Sequence, residues 1–233
     1  MSDGIKLIEV INTYQGEGPD SGRQMLLLRF KECDRVAHKR TCSWCDTVVK
    51  MRVKECGTYT IEEINELIKK SGGIMITGGE PLYDPNVEKT MDILINCQYD
   101  IVNIETNGYK LDGFLRDMDL QVLSSNIPKK IKVIYSPKFF DSVELDIESS
   151  RTANVINHPC VYIKLVVSKE HHLVGHYLDR VTSKMNPRPN QIWLMPEGTT
   201  REELIHNSGT VMDMCEEFKC NFSSREHIIY GFV

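Results

Sequence analysis

Apolar and polar positions along the chain alternate with two periods. Residues 5–11 (IKLIEVI) and 24–30 (QMLLLRF) are short apolar runs joined by the turn-rich QGEGPDSG, and they read as strands. YTIEEINELIKKSGG has helical spacing, with Thr60 as N-cap, Glu63 three residues on and Gly72 at the close, so both ends of a helix are signalled. IMIT (74–77) reads as a short buried strand, NVEKTMDILINC (86–97) as a helix and DIVNIET (100–106) as a strand. KIKVIYS (130–136) and VYIKLVV (161–167) are further strands, with a helix expected in the acidic segment between them. A helix at about 171–185, the strand QIWLM, a helix over 200–218 and a closing strand HIIYGFV complete the pattern.

Strands separated by helices imply a parallel sheet with right-handed crossovers. With roughly six βα units, the expected class is α/β, an incomplete (partial) βα barrel with a mostly parallel, curved sheet; an open doubly wound sheet is the alternative. No repeat or linker divides residues 1–233, so a single domain is expected. In either architecture functional groups gather at the carboxyl ends of strands. Cys33 follows QMLLLRF, and Thr77-Gly78-Gly79-Glu80 ends IMIT. Glu105-Thr106-Asn107 ends DIVNIET, Ser136-Pro137-Lys138 follows KIKVIY, and Met195-Pro196-Glu197 follows QIWL.

Composition narrows the class. The 233 residues are 41% hydrophobic and 26% charged, as in an ordinary globular protein, and the formal charge of −5 disfavours nucleic acid as main partner. The first twenty residues hold Asp3, Glu9 and Glu17 and no apolar core, and no apolar run approaches a membrane span, so a cytoplasmic protein is expected. Of eight cysteines, Cys56, Cys97, Cys160, Cys215 and Cys220 are scattered and read as small packing residues. The other three, Cys33, Cys42 and Cys45, fall within ECDRVAHKRTCSWCDT.

Three thiolates so placed are soft, anionic ligands. They suit a structural zinc with His38 as fourth donor, or an iron–sulfur cluster with one iron left open. The spacing of Cys42 and Cys45 serves both. The Gly-Gly-Glu strand end at 78–80 favours the cluster. An open iron could take the amino and carboxylate groups of a methionine derivative laid against a glycine strand, with Glu80 accepting from the amine.

On these residues the chain resembles the radical S-adenosylmethionine enzymes, and among them the 7-carboxy-7-deazaguanine synthase family of queuosine and deazapurine biosynthesis. YQGEGPDSGRQMLLLRF, CSWCDT, TGGEPL, IETNG, YSPK, WLMPEG and NFSSREHIIYG are each similar to a segment of that family, from end to end of the chain. One departure is visible: eight residues separate Cys33 from Cys42, where radical enzymes usually have a tighter spacing, and the path of residues 34–41 is left open.

The resemblance implies a 4Fe-4S cluster on Cys33, Cys42 and Cys45 that, reduced, donates an electron to S-adenosylmethionine and yields a 5′-deoxyadenosyl radical. The implied substrate is 6-carboxy-5,6,7,8-tetrahydropterin, and the product is 7-carboxy-7-deazaguanine, formed by ring contraction with loss of ammonia. It further implies cofactor contacts from Gly79, Glu80, Ser136, Pro137, Lys138, Leu194, Met195, Pro196 and Glu197. Substrate contacts are implied from Tyr14, Gln15, Gly16, Glu17, Arg29, Thr77 and the terminal Val233. Arg29 would clamp the carboxylate, Thr47 would bind Mg²⁺, and Glu105 and His227 would be the polar groups near the reaction. A flavodoxin-type electron donor and a homodimer are the implied partners. Two other readings stay open: an activase for a glycyl-radical enzyme, which leaves QGEG and Arg29 without a role, and a zinc-stabilised binding module.

Overall fold

A computed structural model of the chain describes residues 4–39, 42, 45, 55–123, 130–137, 155–167, 171–188 and 190–232. Backbone contacts divide the chain into two compact units, residues 1–13 with 24–133, and residues 14–23 with 134–233.

The first unit holds β1 (Ile5–Leu7), β2 (Glu9–Tyr14) up to Thr13, β3 (Gln24–Phe30), α1 (Asp34–Ala37), β4 (Gly57–Tyr59), α2 (Ile61–Ile68), β5 (Gly73–Gly78), α3 (Asp84–Asn96), β6 (Ile101–Thr106) and α4 (Leu111–Met118), and it begins β7 (Lys130–Tyr135). Strands β2, β3, β5 and β6 are neighbours in that order. β3 with β5 and β5 with β6 are parallel, which a helical crossover between them allows. Leu26, Leu28, Ile74, Ile76, Val102 and Ile104 are fully buried, as are Ile64 of α2 and Ile93 and Leu94 of α3. On the alternate positions Met25, Leu27, Met75 and Ile101 form a second buried cluster with Ile11 against it. Both faces of these strands are covered, so they read as continuous apolar runs rather than alternating ones.

The expected strand over 5–11 is interrupted at Ile8. β1 leaves to pair antiparallel with β4, Ile5 opposite Tyr59 and Leu7 opposite Gly57, while the Ile8 amide donates to Arg29 O at 2.9 Å. α2 carries the predicted capping box: Thr60 Oγ1 accepts from Glu63 N, and Glu63 Oε2 accepts from Thr60 N. α4 has no counterpart among the sequence-based expectations.

The second unit holds β8 (Val161–Val167), α5 (His171–Met185), β9 (Ile192–Pro196), α6 (Arg201–Phe218), β10 (Asn221–Phe222) and α7 (Glu226–Tyr230), with residues 14–23 packed in. β8, β9 and β10 are parallel neighbours. Ile163, Leu165, Leu178, Val181, Leu194 and Val211 lie in its core. The acidic segment expected to be helical falls largely outside the described residues; residues 155–157 form a helical turn.

The closing strand is corrected. Residues 227–232 do not extend the sheet: Asn221–Phe222 takes the position beside β9, and α7 follows. Ile228 and Ile229 favour strands intrinsically, but none of α7 is buried, and Gly231 ends it at φ +70. The α/β class with a mostly parallel sheet stands. Among the described residues no helix is long and apolar enough to cross a membrane.

Candidate active site

In the first unit, three of the expected site residues form one row. Arg29 is the register partner of Thr77, and the pair Ile76–Ile104, advanced by one residue, sets Thr77 beside Glu105. Side chains two apart share a face, so Arg29, Thr77 and Glu105 stand on the same side as Leu27, Met75 and Asn103. Arg29 Nε donates to Glu9 Oε2 at 2.8 Å in a largely buried ion pair.

The Gly-Gly-Glu end of β5 is locked against the segment that leads to Cys33. Gly78 has φ +125, and a Cβ there would meet Phe30 N at 2.4 Å and Phe30 O at 2.3 Å. A Cβ on Gly79 would lie 1.9 Å from Glu32 O. The approach is fixed by Gly79 N donating to Phe30 O at 2.9 Å and Glu80 N to Glu32 O at 2.8 Å. Asn86 Nδ2 closes the junction, donating to Glu32 O at 3.1 Å and Glu80 O at 2.8 Å. The occupant these glycines make room for is therefore the chain's own backbone.

Glu80 is 1% exposed. Oε1 accepts from Thr106 Oγ1 at 2.5 Å and Leu82 N at 3.0 Å, and Oε2 from Asn107 N at 2.7 Å. Burial pushes its carboxyl up to about 7, against these hydrogen bonds, which pull it down. Asn107 Nδ2 in turn donates to Asp34 Oδ1 at 2.8 Å, and Asp34 opens α1 immediately after Cys33.

Cys33 caps α1 in extended conformation, and its Sγ lies 3.7 Å from Asp34 Oδ1. Burial raises its thiol to about 11, with Asp34 and Glu80 adding to the rise, so without a metal it stays protonated. Cys42 and Cys45 share a turn, Cys45 N donating to Cys42 O at 3.2 Å, and all three thiols are half-buried with none in a disulfide. The donor set, three soft sulfurs of which two sit on one turn, suits a thiolate-bound cluster. Among the described residues no group of three or more His, Cys, Asp or Glu side chains is placed to hold a metal ion.

The second unit carries the QGEG segment. Gln15 is buried, its amide donating to Arg23 O and its carbonyl accepting from Gly22 N, both at 2.8 Å. A Cβ on Gly16 would meet His227 Nδ1 at 2.2 Å, so glycine is required for His227 to pack there. Glu17 lies between Lys164 Nζ at 2.6 Å, Arg225 Nε at 2.9 Å and His227 Nε2 at 3.9 Å. Burial alone would raise its carboxyl, but Lys164, Arg225 and His227 more than offset this and hold it well below the usual range. Tyr14 is exposed, and its ring meets that of Phe232 edge-on, centroids 5.9 Å apart.

Ser136 and Pro137 are buried just past β7. Leu194 is a core side chain and only its backbone is presented, its O accepting from Ser223 N at 2.8 Å. Met195 and Pro196 are buried too, and Glu197 is half-buried with its amide donating to Val167 O. Thr47, Lys138 and Val233 lie outside the described residues.

Sequence reasoning placed Thr106 and Asn107 at a functional strand end without giving them a role, and it passed over Asn86 beside Glu80 and Lys164, Ser223 and Arg225 around QGEG. Lys164 had a readable signal: a lysine inside the apolar run VYIKLVV must be buried with a partner, and it is 4% exposed.

No family model matches the chain. Curated proteins do. A 7-carboxy-7-deazaguanine synthase of Haemophilus influenzae is 31% identical over 106 residues, 46% of this chain and 46% of that protein. In that match the chain spans about half of the relative's length. The 7-carboxy-7-deazaguanine synthase of Methanospirillum hungatei is 25% identical over 191 residues, 76% of this chain and 79% of the relative. That of Hyperthermus butylicus is 25% identical over 235 aligned positions, 97% of this chain and 92% of the relative. The crystal structure of QueE from Escherichia coli superposes with TM-score 0.59 at 19% identity, covering 96% of this chain and 95% of that one, and so shares the fold.

Proposed function

We propose that this chain, which resembles the 7-carboxy-7-deazaguanine synthases along nearly all its length, is a radical S-adenosylmethionine lyase acting on 6-carboxy-5,6,7,8-tetrahydropterin. On an incomplete βα barrel it would form 7-carboxy-7-deazaguanine with loss of ammonia. The observation that carries the reading is the locked junction of Gly79 and Glu80 with residues 30–32, which ties the methionine-type strand end to the chain leading into Cys33.

Cys33, Cys42 and Cys45 would hold a 4Fe-4S cluster, which when bound and reduced supplies the electron for cleaving S-adenosylmethionine. Glu80 would accept from the cofactor's ammonium, and that cation would draw its burial-raised carboxyl into the anionic form. Ser136 to Lys138 and the backbone of 194–197 would position the rest of the cofactor.

Arg29, at the end of the Arg29–Thr77–Glu105 row, would take the substrate carboxylate, and Thr77 would bond the ring beside it. Gln15 and Gly16 would read the pterin edge, and Thr47 Oγ would be a Mg²⁺ ligand that orients the substrate. Glu105 and His227 Nε2 are the groups assigned to move protons as ammonia departs. A flavodoxin-type donor, a homodimer and a cytoplasmic location complete the proposal.

Anaerobic reconstitution with iron and sulfide tests it. The reading expects about four irons per chain and a brown protein, with colour and iron lost together in Cys45→Ala. A colourless protein holding one zinc, with Cys45→Ala unable to bind it, would replace the enzyme with a zinc-stabilised module.

A further inference from the structure

Every residue of the segment 15–18 is tethered within the second unit. Gln15 is held by residues 22 and 23, Gly16 O accepts from Glu226 N at 2.9 Å, and Gly18 N donates to Ser223 Oγ at 2.7 Å. Glu17 contributes its carboxylate. Oε2 accepts from Lys164 Nζ at 2.6 Å and Oε1 from Arg225 Nε at 2.9 Å. Arg225 does more than pair, because its Nη1 donates to Gly198 O at 2.9 Å. One guanidinium therefore joins the QGEG segment to the loop that follows residues 194–197.

The cluster is buried: the side chains of Lys164, Glu17 and Arg225 are 5%, 15% and 14% exposed. Taking these charges out of water is costly, and an apolar replacement of equal volume often matches such a group in stability. Stability alone is a poor reason for a lysine in the middle of β8. Fixing one conformation of a loop that must meet a ligand is a better one.

We propose that Lys164 and Arg225 are positioning residues that act through Glu17 to hold Gln15 to Gly18 in the conformation that receives the substrate, with Arg225 aligning that segment to the loop after β9. The assignment to substrate rests on the functional reading above; the clamp itself rests on the distances. The groups that set the charge at Glu17 are Lys164 from β8, Arg225 at the N-cap of α7 and His227 within α7.

The test is steady-state kinetics with the carboxytetrahydropterin on the reconstituted enzyme, together with amide hydrogen exchange. Lys164→Met is expected to raise KM about ten- to a hundredfold, the coupling range of groups in direct contact, with a smaller change in kcat. Lys164→Arg should recover most of the loss. Lys164→Met combined with Glu17→Gln should be no worse than Glu17→Gln alone, because the lysine acts through that carboxylate. With the lysine gone, Glu17 loses the largest attraction that holds its carboxyl down, while Arg225 and His227 remain, so the acid-side fall in pterin binding should move to higher pH than in the wild type.

Amides of residues 17 and 18 should exchange faster in Lys164→Met. Arg225→Lys keeps the charge but loses the link to Gly198, and it should give the same KM rise if Lys164→Met does not fold. Unchanged KM in the variants, or penalties that simply add in the double variant, overturn the proposal. Should the wild type fail to turn over the pterin, the functional reading falls; the clamp is then decided by exchange alone, and unchanged exchange at 17 and 18 overturns it.

Discussion

A methyl group on Gly79 would sit 1.9 Å from Glu32 O. Relief would require moving backbone, since the nearest atoms belong to Glu32 and Lys31 main chain. Gly79→Ala is expected to cost about 3 kcal/mol or more in urea unfolding, the upper range for overpacking; a wild-type midpoint would contradict the locked junction. Glu80 makes a pH-dependent prediction. Its folded carboxyl titrates at about 7 against an ordinary value of 4.5, so the folded state binds more protons between those values. Stability should therefore fall as pH rises through that window, by up to about 3 kcal/mol, and Glu80→Gln should flatten the slope. A slope that survives the substitution would place the titration elsewhere. At this scale the sequence names candidate residues and not whom they touch. TGGEPL reads as a ligand-facing strand end, yet its glycines accommodate residues 30–32. Glu80 is met by Thr106, whereas the residue singled out from that strand end, Glu105, falls on the opposite face by strand alternation.

Local chemistry decides how legible an element is. The α2 cap could be read directly, because Thr60 and Glu63 satisfy each other's backbone amides within four residues of sequence. The same box recurs at Thr200 and Glu203 on α6. Thr60→Ala and Thr200→Ala should each lower stability by about 1 kcal/mol, measured by denaturant unfolding. After Thr60→Ala, Glu63→Ala should add little, as the two share one motif. α4 was missed although Leu111, Phe114, Leu115 and Met118 are buried at helical spacing. It has eight residues, an interior Gly113 and no side-chain cap at Lys110, so its boundary signals are absent. α7 failed for the opposite reason: Ile228 and Ile229 favour a strand, and the sheet position was already taken by Asn221–Phe222. Such an outcome depends on tertiary placement that no window of sequence contains.

For the molecule as a whole, alternating strands and helices were enough to foretell a mostly parallel α/β sheet, because a parallel pair needs a crossover. The antiparallel pairing of β1 with β4 was not foreseeable, since a strand of three residues carries too little pattern. Nor was the charge cluster around Glu17, whose partners Lys164 and Arg225 lie 147 and 208 residues along the chain. The central claim is a reaction, and its most direct test is turnover. The protein would be reconstituted anaerobically with iron and sulfide, then given dithionite, Mg²⁺, S-adenosylmethionine and 6-carboxy-5,6,7,8-tetrahydropterin, with products followed by mass spectrometry. The account predicts 7-carboxy-7-deazaguanine together with release of ammonia. Formation of 5′-deoxyadenosine and methionine with the pterin left unchanged would contradict the substrate assignment, and absence of 7-carboxy-7-deazaguanine, 5′-deoxyadenosine and methionine alike would contradict the radical chemistry itself.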